Sequence, residues 1–120
     1  MKVLVAGGGI GGLAAAVLLE RRGIEVTLVE QAPEFKHIGF CMTLFSNGRR
    51  VLRELGLGDE VEKHGYEVPW IMSADPNGRV IGERVNFSPD LAKFGEQSVT
   101  IERAVLHDAL VKSLSSTKLR

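Results

Sequence analysis

Five glycines within six residues, Gly7, Gly8, Gly9, Gly11 and Gly12, separate a valine-rich run from an alanine-rich one. Backbone so free of side chains is entropically costly to order, and its usual place is a sharp turn or a close approach between chain segments. Lys2 to Ala6, just before it, reads as a short strand. Leu13 to Arg22, just after it, carries Leu13, Ala16 and Val17 at helical spacing, ends in Arg21 and Arg22, and stops at Gly23. Glu25 to Val29 is a second apolar strand, closed by Glu30. A strand, helix and strand in this order join as a βαβ unit with parallel strands.

Each part of the turn has a physical task if the unit holds a dinucleotide. Gly7 allows the tight exit from the first strand, Gly9 lets a pyrophosphate approach the backbone, and Gly12 lets helix and strand pack closely. The helix opening at Ile10 and Gly11 directs unpaired N–H groups and a positive dipole end at the phosphates. Glu30 stands eighteen residues beyond Gly12, at the carboxyl end of the second strand. There it can accept ribose hydroxyls, and its charge disfavours the 2′-phosphate of NADP. A ligand-free βα turn is the plain alternative. The preceding strand, the following helix and the spaced acid together favour the nucleotide.

Composition narrows the remaining classes. The chain has 120 residues, 25% of them charged, and a formal net charge of zero, which gives no electrostatic case for nucleic acid. Its apolar stretches are too short or too glycine-rich to span a membrane. Lys2 and the run behind it resemble a secretory leader, but they are better used as the first strand and turn of the βαβ unit. The one cysteine, Cys41, excludes an intramolecular disulfide and a multi-cysteine metal site and fits a reducing cytoplasm.

After Gln31-Ala-Pro-Glu34 the pattern breaks into a long excursion. Phe35 to Ser46 reads as loop and short strand. Asn47 is placed to cap a helix through Leu55 with Val51, Leu52 and Leu55 inward, and a shorter helix follows from Gly58 to His64. Val68 to Ala74 and Arg79 to Phe87 flank Asp75-Pro-Asn-Gly78, the signature of a β-hairpin. Gln97 to Ile101 reads as a strand and Glu102 to Leu114 as a helix, while Ser115 to Arg120 shows no structural pattern.

Taken together, residues 1 to about 114 resemble the N-terminal part of the flavin-dependent aromatic-ring monooxygenases, FAD hydroxylases of the glutathione-reductase-like fold. The matching segments are VAGGGIGGLAAAVLLERRGIEVTLVEQAPEF, IGFCMTLFSNGRRVLRELGLGDEV, the hairpin around DPNGR, and IERAVLHDALVKSL. The resemblance implies FAD as cofactor and assigns a cofactor contact to Arg103, the arginine of an R-x-x-L-x-x-x-L helix completed by Leu106 and Leu110. It also places Gln31 where many members carry a basic residue facing the adenosine, and Lys36 at a position often basic. Gly39-Phe40-Cys41-Met42 replaces a Gly-x-Gly-Ile loop beside the flavin ring, with more bulk than the family pattern. Cys41, between Phe40 and Met42, is expected as buried packing.

The family's later Asp-Gly and Gly-Asp motifs have no counterpart. Gly58-Asp59 is better explained by Asp59 capping the short helix. No catalytic residue can be named, because His37, His64 and His107 lack partners at useful spacing and are expected to be structural or solvated. No metal site is expected.

The expected architecture is α/β: an incomplete Rossmann-like FAD-binding βαβ unit with an inserted helical and hairpin excursion. It forms one partial domain over 1–120, with the βαβ fingerprint at 1–34, the excursion at 35–96, and the strand and Arg103 helix at 97–120. With only two parallel strands in view, the chain is read as a fragment completed by a second polypeptide. The implied function is the FAD-binding portion of a monooxygenase-like oxidoreductase acting on a small aromatic or conjugated molecule, with NAD(P)H as electron donor and no catalysis alone. The alternatives are a non-catalytic nucleotide- or partner-binding remnant, a related flavoprotein (halogenase or prenoid-lipid reductase), and a small NAD-binding Rossmann protein.

Overall fold

The computed structural model of the chain describes residues 1–33 and 39–120. Lys36 and His37, singled out by sequence, lie outside the described residues. β1 (Lys2–Ala6), α1 (Ile10–Arg21) and β2 (Glu25–Val29) form the expected βαβ unit. The strands are parallel and in register from Lys2 opposite Glu25 to Ala6 opposite Val29. α1 buries Leu13, Ala16 and Val17, three positions that a 3.6-residue period brings to one face. Gly23, at φ +73°, turns the chain out of the helix in a left-handed conformation that other residues resist.

The excursion begins with β3 (Cys41–Leu44), α2 (Ser46–Glu54) and α3 (Gly58–His64). It continues through β4 (Tyr66–Glu67), the hairpin strands β5 (Trp70–Ala74) and β6 (Val80–Asn86), and α4 (Ser88–Phe94). β7 (Val99–Glu102) then leads directly into α5 (Arg103–Lys112). β3 and β4 flank β7 on either side, both antiparallel to it. The inward side chains of this small sheet, Leu44, Val99 and Ile101, join Leu52, Leu55, Leu57 and Val61 of the α2–α3 segment and Leu106 and Leu110 of α5. Together with Leu13, Val26 and Leu28 they make a single apolar cluster, so the excursion is packed onto the βαβ unit and shares its core.

Several local expectations need correction. Phe45, not Asn47, occupies the cap position of α2, and Asn47 lies inside the first turn. Val51 is exposed, while Leu52 and Leu55 are buried as expected. α2 is instead fixed by a polar contact: Arg49 and Arg53, four residues apart, both reach the buried Glu96 carboxylate, at 3.3 and 3.0 Å. The Arg49 guanidinium also donates to the Gln97 carbonyl at 2.7 Å. Asp59 makes no capping bond to α3 and sits in its first turn, where an acid favours the helix dipole. Cys41 and Phe40 are exposed rather than packed.

The hairpin forms around the expected turn. Asp75 accepts the N–H groups of Asn77 and Arg79, both at 2.9 Å, and Gly78 takes φ +83°. Every residue of β5 and β6 is exposed, apolar ones included, so the hairpin stands away from the core.

The largest correction concerns the tail. Residues Lys118–Leu119 form β8, which pairs in parallel with Thr27 and Leu28 of β2 and makes the sheet three-stranded in the order β1-β2-β8. The anchor is Glu20, near the end of α1. Its carboxylate accepts the backbone N–H and hydroxyl groups of Ser115, Ser116 and Thr117, six donors at 2.8 to 3.3 Å. Burial pushes this carboxyl up, but the Thr117 hydroxyl, the Ser115 and Ser116 amides and the Ser115 hydroxyl outweigh it, leaving it below its ordinary value of 4.5. A carboxyl lowered in the folded state contributes stability above its unfolded value and loses it as pH falls through the folded one. Glu20→Ala is therefore expected to cost about 1–3 kcal/mol at pH 7 and to release the amides of 115–120 to hydrogen exchange. The difference from wild type should shrink as denaturation is repeated toward pH 3, and a cost independent of pH would contradict this role.

Candidate functional site

The carboxyl ends of β1 and β2 meet at the glycine turn. Gly7 takes φ +103°, and its N–H donates to the Val29 carbonyl at 2.8 Å, tying the two strand ends together. Gly12 is held against this turn. A Cβ there would lie 2.0 Å from the Gly7 carbonyl oxygen, so no side chain fits. Gly9 and Gly11 differ: a Cβ on either would meet nothing within 4 Å. The space beside them is open, as the approach of a phosphate requires. Gly9 stands at the cap of α1, with no side-chain cap and no acid in the first turn, so the positive end of a twelve-residue helix is left for an anion. Ile10 turns inward and packs on the core.

Glu30 sits where the sequence placed it and has a further task. One carboxylate oxygen accepts the Gly8 N–H at 2.6 Å and the other the Ala32 N–H at 3.0 Å. The Ala32 and Gly8 amides hold this carboxyl below its usual range against slight desolvation, with smaller help from the Gln31 amide and the nearby His107. Each oxygen keeps lone-pair capacity, so a ribose hydroxyl can still be accepted. Ala6, Gly7, Val29, Glu30 and Gln31 line a cleft of about 480 Å³ at this edge. Open glycine backbone and a free helix start, with an ionised carboxylate hydrogen-bonded to the same turn, suit the ADP half of a dinucleotide.

Arg103 is the first residue of α5 and is brought to the other loop. Its N–H donates to the Phe40 carbonyl at 3.0 Å, and its side chain lies against Gly39. Gly39 has φ +108°, and a Cβ there would approach the Arg103 Cδ to 3.1 Å, so the glycine is needed both for backbone conformation and for room. His107, expected to be structural or solvated, is structural, and its partner lies in the glycine turn. It is buried, and its Nε2 lies 2.7 Å from the Gly8 carbonyl oxygen. The available signal was its position one helical turn after Arg103, which puts both on one side of α5. His64 instead pairs with Glu60 on α3 at 3.5 Å. Among the described residues no cluster of metal-ligating side chains occurs, and no helix is long and apolar enough to cross a membrane.

Comparison with known proteins bears directly on this geometry. The profile of the family described as FAD binding domain matches residues 1–114. The 3-hydroxybenzoate 6-hydroxylase of Polaromonas naphthalenivorans is 36% identical over 118 residues, 98% of this chain and 30% of that protein. The aurachin C monooxygenase/isomerase of Stigmatella aurantiaca is 36% identical over 92% of this chain and 28% of its own length. Among solved structures, Klebsiella pneumoniae HpxO complexed with FAD and uric acid superposes with a TM-score of 0.77 at 28% identity, covering 99% of this chain and 30% of that one. The chain thus spans about 30% of the length of these relatives.

The glycines separate into two classes that mutation can tell apart. Gly12→Ala forces backbone apart and is expected to destabilise the fold by about 2 kcal/mol or more. Gly9→Ala keeps an ordinary φ of −74° and open surroundings, so its melting temperature should stay near that of wild type while nucleotide affinity falls. Thermal melts and a nucleotide titration on both variants check this, and equal destabilisation by the two would contradict it.

Proposed function

This chain belongs to the FAD binding domain family, and we propose that it is the FAD-holding portion of a flavin-dependent monooxygenase-like oxidoreductase acting on a small aromatic or conjugated molecule. The observation that carries the reading is the glycine turn, closed at Gly7 and Gly12 and open at Gly9 and Gly11, with Glu30 beside it. In this reading the turn and the start of α1 hold the pyrophosphate through Gly7, Gly9, Ile10, Gly11 and Gly12. Glu30 accepts the adenosine ribose hydroxyls, Gln31 lines the adenosine end, and Arg103 contacts the cofactor from the loop at Gly39. The negative charge of Glu30 disfavours a 2′-phosphate here, so NADP is not the resident nucleotide. Bound flavin supplies the redox and oxygen chemistry. The protein's contribution is to bind and orient it.

The named activities of the relatives, hydroxylation of 3-hydroxybenzoate among them, support an aromatic substrate for the complete enzyme, and the family resemblance implies NAD(P)H as its electron donor. Turnover by this chain alone is not part of the proposal. β1 is hydrogen-bonded to β2 alone among the described strands, and the apolar side chains of the hairpin are exposed. Both features support a second polypeptide that completes the domain. An exposed, unpaired Cys41 fits a cytoplasmic setting.

The test is a titration of the purified protein with FAD, followed by flavin absorbance and fluorescence. Flavin bands should survive desalting, ADP should displace FAD, and FMN, which lacks the ADP half, should bind far more weakly. Glu30→Ala is expected to raise the Kd for FAD about tenfold. No binding of FAD, or equal binding of FMN, would overturn the proposal.

A further inference from the structure

We propose that His107 is a positioning residue for the cofactor site: it fixes the orientation of the Gly8–Gly9 peptide so that the Gly9 N–H faces the phosphate. The proposal rests on the FAD reading above and adds to it a residue from the far end of the chain.

The need for such a residue follows from the turn itself. The peptide between Gly8 and Gly9 is flanked by two residues without Cβ atoms, so sterics alone leave it free to rotate. The two orientations are opposite in electrostatic effect. A trans peptide is planar, with its C=O and N–H pointing in opposite directions. When the carbonyl faces the protein, the N–H faces out toward the anion. When the peptide is reversed, the carbonyl oxygen presents its negative end there instead.

Gly8 is buried and is held on both sides. Its N–H donates to Glu30 at 2.6 Å, and its carbonyl lies 2.7 Å from His107 Nε2. A carbonyl oxygen can only accept, so the imidazole carries a proton on Nε2 and donates it. That bond draws the carbonyl toward the buried face of α5. It thereby turns the Gly9 N–H away from His107, at a residue whose surroundings are open: a Cβ on Gly9 would meet nothing within 4 Å. His107 spans 99 residues of sequence to make this contact. It does so from the helix whose first residue, Arg103, binds the Phe40 carbonyl through its N–H. One rigid helix therefore sets both the glycine turn and the loop at Gly39.

The experiment compares wild type with His107→Gln and His107→Leu in the 120-residue chain. A glutamine amide can place a donor near the position of Nε2, whereas leucine fills space without donating. His107→Leu should raise the Kd for FAD about ten- to thirtyfold, and His107→Gln should stay within about threefold of wild type. The Gly9 amide nitrogen resonance of the ligand-free protein reports a hydrogen bond on the carbonyl of its own peptide. It should move in His107→Leu and return toward wild type in His107→Gln. Thermal melts accompany both variants, because a purely structural role would lower stability without selective recovery by glutamine. Unchanged FAD affinity and an unmoved Gly9 resonance in His107→Leu would overturn the proposal, as would equal loss of affinity in both variants. Failure of wild type to bind FAD would overturn the cofactor reading, and the Gly9 resonance would still decide whether His107 holds the peptide.

Discussion

No side chain fits between the start of α1 and the end of β1, and the rest of the site is built on that closeness. With Gly12 against the Gly7 carbonyl, α1 turns back over the strands and packs on β1 and β2. The same approach buries Leu13, Ala16 and Val17 against the sheet. α5 then packs on α1, and this contact brings His107 to Gly8 and Arg103 to the loop at Gly39. A wider separation at Gly12 would tilt α1 and carry α5 with it, so the glycine turn and the loop at Gly39 both depend on one absent methyl group.

The local parts of this arrangement were legible in sequence. The βαβ unit, the Asp75–Gly78 turn and the helix beginning at Arg103 all carry their determinants within a few residues: apolar period, turn chemistry or a helix stop. The roles of Gly7 and Gly12 were legible for the same reason, because a tight turn and a close approach each demand a glycine at a fixed offset. What was not legible depends on distant partners. Ser115 to Thr117 have no periodicity, and Glu20, 95 to 97 residues earlier in the sequence, orders them into the lead of a third parallel strand. Glu96 is a single acid in a loop until α2 brings Arg49 and Arg53 to it. The partner of His107 was not legible, because a histidine's role depends on what it faces, and it faces a glycine carbonyl from the first turn of the chain. The exposure of Cys41 was not legible, because apolar neighbours in sequence do not ensure cover in space.

Buried charge marks the joints between these parts. Replacing Arg49 and Glu96 together by well-packed apolar residues need not destabilise the fold, but removing Glu96 alone leaves Arg49 facing the interior without its acid. Glu20 is more exposed and acts through neutral donors, so it behaves as a cap for the turn into β8. Glu30 combines both characters. It secures the Gly8 amide and lines the cleft with its carboxylate, which links the shape of the turn to the charge proposed to select the nucleotide.

The central claim is that this chain grips the ADP half of FAD at the glycine turn. The most direct measurement is a map of backbone amide shifts in the isotopically labelled chain as FAD is added. The account predicts the largest changes at Gly9, Ile10, Gly11 and Gly12, with a second group at Glu30 and Gln31 and a third at Arg103. Saturable FAD binding that leaves the glycine-turn amides unmoved would contradict it.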